Sequence, residues 1–298
     1  MGVGMPLPHR GNPMVIRNIL FPIDFSTRSF AAAPFVYALA KVYDARVILV
    51  HACEGGAIPL PEAAYVTGVC YEELESASRN KLREFADSEL PKLDTLCVSS
   101  VGHPAGVILS EAAIHNADLI AMPTHGYGGF RRLLLGSVTA RILRELRVPV
   151  WTAAHAPEPS HRAHPQPRRI LAAVELGAES SRTTEFALHL ARDTGASLEV
   201  VHAVMAQNVV APAAAGARLH DILDAAATAQ AVELEHSPST LDLMTGDPNP
   251  AFRLRDLALK RRADLMVIGR GAIQSPLNRF DAHAYEIVRE SPCPVISV

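Results

Sequence analysis

Apolar positions along this chain fall into two alternating rhythms. Residues 15–23 (VIRNILFPI) form an apolar run of strand length. Residues 27–43 instead place Phe30, Ala33/Pro34, Val36/Tyr37 and Ala40/Lys41 at helical spacing. The alternation continues with a strand at 46–52 (RVILVHA), a charged helix at 71–90 and a strand near 95–101. A helix at 104–115 and a strand at 118–122 follow. Then comes a helix at 137–146, with Val138, Ile142 and Leu146 in one stripe, and a last strand at 148–153. The spacing predicts βαβαβαβαβ, and strands that are apolar throughout, separated by helices, imply an α/β unit with a parallel sheet covered on both faces. Ligands of such sheets bind at the carboxyl ends of the strands, where the strand order reverses.

The pattern then repeats. RNILFPIDFSTRS (17–29) matches RRILAAVELGAES (168–180), and ARVILVHA (45–52) matches ASLEVVHA (196–203). VGHPAGVILSEAAIHNADLIAMP (101–123) matches TGDPNPAFRLRDLALKRRADLMVIG (245–269), and ILRELRVPVWT (142–152) matches IVRESPCPVIS (287–297). The order is kept while the offset drifts, from 151 residues between Asp24 and Glu175 to 145 between Pro149 and Pro294. This is a tandem duplication with small insertions and deletions in loops. The predicted layout is a flexible tail (1–14), a first domain (15–155), a Pro-rich linker (156–168) and a second domain (169–298). The linker APEPSHRAHPQPR has no apolar pattern and should be exposed and extended.

Composition narrows the function. A length of 298 residues, 49% of them hydrophobic, supports two cores. A net charge of −3 gives no bulk electrostatic case for nucleic acid or for a membrane surface. No apolar stretch approaches the roughly 20 residues of a membrane helix, and the N-terminal segment lacks the apolar centre of a signal peptide. The four cysteines (Cys53, Cys70, Cys97, Cys293) form no metal-ligand spacing and read as reduced thiols of a cytoplasmic protein. The histidines are scattered, so no metal site is predicted.

The candidate chemistry lies at the strand ends. Asp24 closes strand 1, and His51-Ala52 close strand 2. The loop AMPTHGYGGFRRLLLGS (121–137) follows strand 4 and leads into the last helix. Gly126, Gly128, Gly129 and Gly136 let backbone N–H groups approach a phosphate, and Ser137 is placed to cap a helix start that favours anions. Each feature alone also suits something plainer: a tight turn for the glycines, a helix cap near Ser26 for Asp24, loop packing for His125. There is no P-loop lysine, no GxGxxG after strand 1, and no triad that spacing can assemble.

Together, FPIDFSTRS, ILVHA, VGHPAGVIL, ADLIAMPTHG, LLLGSVTARIL and VPVW resemble the universal stress protein family, in both halves of the chain. The resemblance implies two tandem Rossmann-like domains, each a five-stranded parallel sheet in the order 3-2-1-4-5 flanked by helices. It implies dimerisation through the last strand. In some members ATP, with or without Mg2+, is bound through Gly-x2-Gly-x9-Gly-(Ser/Thr). Carried over, Asp24 lies by the ribose and adenine, and Ala52 offers backbone to the adenine. Pro123, Thr124, His125, Gly126, Gly129, Gly136, Ser137 and Val138 line the phosphate loop and helix start. Two departures matter. Pro123 stands where the motif has its first glycine, and it has no N–H to donate. In the second half Glu175 replaces the strand-1 aspartate, Arg270 alone replaces Thr124-His125, and Asp281-Ala282 replace Gly136-Ser137. A carboxylate at that helix start would repel phosphate.

Three readings of function follow. The first is a cytoplasmic ATP-binding stress protein, acting as sensor or scaffold through its first domain. The second is a nucleotide-independent, pseudo-dimeric, chaperone-like scaffold. The third is a slow ATP hydrolase, for which no base and metal pair is evident. The apolar edge strands at 148–152 and 294–298 should pair antiparallel within the chain and bury Trp151, with a homodimer left open. Residues 53–70 should form a mobile loop beside the nucleotide cleft.

Overall fold

The computed structural model describes residues 15–53, 69–123, 135–153, 165–177, 180–205, 212–230, 239–244, 249–270 and 282–298. The expected tail, most of the loop at 53–70 and most of the linker lie outside these residues.

The first half runs β1 (Asn18–Pro22), α1 (Thr27–Tyr43), β2 (Arg46–Cys53), α2 (Val69–Glu89), β3 (Thr95–Val101), α3 (Pro104–Ile114), β4 (Leu119–Pro123), α4 (Ser137–Glu145) and β5 (Val150–Ala153). The second half repeats it: β6 (Arg169–Ala173), α5 (Ser180–Thr194), β7 (Ser197–Met205), α6 (Pro212–Gln230), β8 (Ser239–Met244), α7 (Pro250–Arg261), β9 (Leu265–Ile268), α8 (Ala282–Glu290) and β10 (Val295–Ser297). Each half is a parallel sheet in the order 3-2-1-4-5. The two join into one ten-stranded sheet, β3-β2-β1-β4-β5-β10-β9-β6-β7-β8.

The join is the antiparallel pairing of β5 with β10, where Thr152 faces Val295, Trp151 faces Ile296 and Val150 faces Ser297. Both are short apolar edge strands, and each supplies the backbone partners that the other lacks. The Thr152 hydroxyl adds a bond to the Val295 carbonyl at 3.2 Å.

Strand side chains alternate between two cores, as a pleated sheet covered on both faces requires. Ile19, Phe21, Leu119 and Trp151 pack against α1, α2, α5 and α6 through Phe35, Leu39, Phe85, Phe186 and Leu223. Leu20, Ile120 and Val150 pack against α3, α4, α7 and α8 through Ile108, Ile142, Leu254 and Val288.

The duplication extends to individual hydrogen bonds. Asp118 accepts the N–H groups of Arg17 and Asn18, and Asp264 accepts those of Arg168 and Arg169. Each aspartate ties the start of its fourth strand to the start of its first. His51 donates from Nδ1 to the Ile23 carbonyl at 2.7 Å, and His202 does the same to Val174 at 2.8 Å.

The linker prediction needs one correction. Gln166 and Arg168 are exposed, but Pro167 is buried, and with Pro165 it lies beside Phe35, Leu39, Trp151 and Pro294 at the join. Gln166 also donates to the Thr194 carbonyl at 3.0 Å. The end of the linker is therefore anchored across both halves.

Candidate functional site

In each half the strand order reverses between the first and fourth strands. β1 and β4 are neighbours in register, Ile19 with Leu119 and Leu20 with Ile120, so their carboxyl ends lie side by side. Crossover to either side opens a crevice there.

Asp24 stands just past β1 and is half-buried. Its Oδ1 accepts the Ser26 N–H at 2.9 Å and the Ser29 hydroxyl at 2.6 Å. Ser26, not Asp24, is the N-cap of α1, and its side chain accepts from the Ser29 N–H. Asp24 thus braces the cap from two residues further out. Between them Phe25 is left-handed, with φ of 58°, an unusual conformation for a bulky residue. Its ring packs on His51 at 4.8 Å, with the Lys81 ammonium 6.0 Å from the ring centre. Backbone strain of this kind persists only where the surroundings enforce it. The bonds to Asp24 and the contact with His51 do so here.

Ala52 is in the last turn of the β2 ladder, paired with Ser100 and partly buried against the α3–α4 core. Pro123 ends β4, paired with Ala153. Its carbonyl accepts the Thr139 hydroxyl at 3.4 Å, which draws the first turn of α4 to the end of β4. Pro123, Gly136, Ser137 and Val138 are thereby brought together. Thr124, His125, Gly126 and Gly129 lie outside the described residues.

The helix start differs from the expectation in one respect. The N-cap of α4 is Gly136, and Ser137 is the first helical residue, exposed to solvent. A glycine cap makes no side-chain hydrogen bond to the first turn. Helix starts leave N–H groups without intrahelical acceptors. A serine cap would have taken one of these donors for itself; glycine leaves it to an external anion.

The second half builds the same corner from different residues. Glu175 is exposed, and the Oγ of Ser180, the counterpart of Ser29, is buried with no hydrogen-bond partner. Leu176, the counterpart of Phe25, is not left-handed. Ala284 replaces Thr139, so the bond from helix to strand end has no equivalent. Asp281 lies outside the described residues, and α8 runs from Ala282.

Sequence reasoning missed Ser26, Ser29 and Thr139, the residues that hold the corner and the helix start in place. The run DFSTRS carried a signal for the first two, since alternating Asp and Ser hydroxyls before a helical pattern are capping chemistry.

A duplicated α/β unit with its crevice at this switch point is a tandem Rossmann-like fold. The sequence model of the universal stress protein family matches residues 16–153 and again 167–298, so the chain belongs to that family as a tandem two-domain member. It is 33% identical over 141 residues to a universal stress protein of Thermus aquaticus, covering 46% of this chain and 97% of that one. It is 31% identical over 145 residues to one of Methanocaldococcus jannaschii, covering 47% of this chain and 84% of the relative. The crystal structure of a universal stress protein from Archaeoglobus fulgidus superposes with a TM-score of 0.72, over 94% of this chain and 97% of that one. At 19% identity that likeness shows the fold.

Proposed function

We propose that the chain is a cytoplasmic stress-response protein that binds ATP, alone or with Mg2+, in its first half and acts as a sensor or scaffold. The observation that carries this reading is the α4 start. Gly136 caps the helix without a side chain, and Thr139 ties that first turn to the end of β4, beside the Asp24 corner. These residues fit the ligand. N–H donors and the helix dipole suit phosphate. Both side-chain contacts of Asp24 fall on Oδ1, which leaves Oδ2 for a ribose hydroxyl. Ala52 supplies backbone for the base, and Pro123, Thr124, His125, Gly126, Gly129, Ser137 and Val138 complete the proposed lining. In the second half the Ser180 hydroxyl, the counterpart of Ser29, has no partner, and Asp281 stands in the place of the Gly136 cap, so one site per chain is the expected stoichiometry.

Pro123 favours a second reading, a nucleotide-independent scaffold built on the β5–β10 join, because it has no N–H to offer at the strand end.

Titration calorimetry of the intact chain with ATP separates the two. One site per chain is expected. Gly136→Asp with Ser137→Ala copies the second half into the first and should abolish binding. The lost dipole interaction alone costs roughly 0.3–2 kcal/mol, and charge repulsion adds to it. No binding by the unchanged chain would put the scaffold reading first. Two equal sites, or binding that survives the double substitution, would remove the α4 start from the site.

A further inference from the structure

The helix whose first turn is assigned to phosphate is held at both ends by the other half of the chain. At its start, Tyr285 of α8 brackets Leu135. The Leu135 N–H donates to the Tyr285 hydroxyl at 3.0 Å, and that hydroxyl donates to the Leu135 carbonyl at 3.4 Å. Leu135 is buried and immediately precedes the Gly136 cap.

At the far end of α4, the Arg270 guanidinium donates to the carbonyls of Leu143, Leu146 and Val148, and to Ser297 of its own half. Leu146 is the C-cap of α4. Arg182 adds a bond to the Arg147 carbonyl at 2.7 Å. A cation on the last carbonyls of a helix satisfies orphan acceptors and complements the negative end of the dipole. Burial, and then the nearby Arg182, lower the pKa of Arg270 to about 9, so it remains a cation at neutral pH.

Neither Tyr285 nor Arg270 has a like residue at its counterpart in the first half. In the matching helices ARILRE (140–145) and YEIVRE (285–290), the counterpart of Tyr285 is Ala140, which has no hydroxyl. Arg270 stands where the first half has Thr124-His125. Tyr285 and Arg270 therefore lie where the second half departs from the first, in its last helix and its loop.

We propose that Tyr285 is a positioning residue for the first-half site. The second half acts as a splint that fixes where α4 begins and so aims its N–H donors at the polyphosphate. This rests on the nucleotide reading above. Tyr285 acts through Leu135 and Gly136 rather than on the ligand. Donors held in place before binding need not be ordered during it, and affinity rises accordingly.

Tyr285→Phe keeps the ring and removes the hydroxyl. ATP affinity of the intact chain should fall roughly three- to tenfold, the scale of one net hydrogen bond. Adenosine, which has no phosphate, should bind as it does to the unchanged chain. Amide exchange in the ligand-free protein should quicken at Leu135, Ser137 and Val138. A general structural role would weaken both ligands alike. Unchanged ATP affinity in the variant, a parallel loss for adenosine, or unchanged exchange overturns the inference and leaves the nucleotide reading standing. Failure of the unchanged chain to bind ATP overturns that reading and takes the inference with it.

Discussion

Trp151 stands directly opposite Ile296 in the antiparallel ladder that joins the two halves. The two occupy equivalent places in the repeats, 145 residues apart. On either side Val150 faces Ser297 and Thr152 faces Val295, which exchange with one another under the same offset. The local two-fold of the duplicated chain therefore passes through the Trp151–Ile296 pair. The pair is unlike, however. The indole is 2% exposed and packs on Phe35 with ring centres 5.4 Å apart, so the first half fills the join with an aromatic pair.

Trp151→Ala should therefore destabilise the whole chain. Large-to-small changes at buried aromatics cost about 3–5 kcal/mol, and here the cavity would open at the seam. Urea unfolding followed by circular dichroism checks this. In the unchanged protein, emission from this single tryptophan should be blue-shifted and should move to the red in the same transition. A variant as stable as the parent would mean that the seam repacks without it.

The architecture was legible because the signals for it are local and repeated. Each strand is an apolar run and each helix a 3.6-residue stripe, and the second copy confirmed the period of the first. The apolar edges VPVWT and PVISV were enough to anticipate the join, since unpaired edge strands must find partners. The residues that tune the site were not legible. Tyr285 reads as one substitution for alanine on a helix face, and Arg270 as one arginine in a shortened loop. Their meaning comes from carbonyls more than 120 positions away along the chain, at Leu135 and Leu146. Gly136 rather than Ser137 caps α4, and since Gly and Ser are both good caps, only the backbone turn decides between them.

Acid should loosen the second half through His189. Its ring is buried in α5, and Nδ1 has no hydrogen-bond partner. Burial lowers its pKa, the Arg192 guanidinium lowers it further, and Asp193 opposes them only in part. In the unfolded chain it titrates near 6.5, roughly the free histidine value. Between that value and the lower folded one, the unfolded chain binds a proton that the folded chain does not. Stability is thus greatest above the unfolded pKa and is lost as pH falls through the folded one. Urea midpoints compared at about pH 7.5 and about pH 5 should show this loss, and His189→Leu should make it smaller. An equal loss in the variant would assign the acid sensitivity to other groups.

Gly269 and Thr183 should behave as a coupled pair. Gly269 takes the place in the second half that Pro123 takes in the first, and a Cβ built on it would lie 2.9 Å from the Thr183 Oγ1. The counterpart of Thr183 is Ala32, buried under β1 and without a hydroxyl. The expectation is that the first half tolerates a ring at the end of its fourth strand because Ala32 is small, whereas Thr183 excludes one in the second half. Gly269→Ala should cost about 1–3 kcal/mol, the usual range for forcing a methyl into a closed site. Thr183→Ala should recover much of that cost when the two are combined, its own cost being set by the interactions that Thr183 makes. A double-mutant cycle read by urea unfolding should return a coupling of about 0.5–3 kcal/mol in the favourable sense. If the two costs simply add, Thr183 does not set the residue at position 269, and the proline of the first half is accommodated by something other than the missing hydroxyl at Ala32.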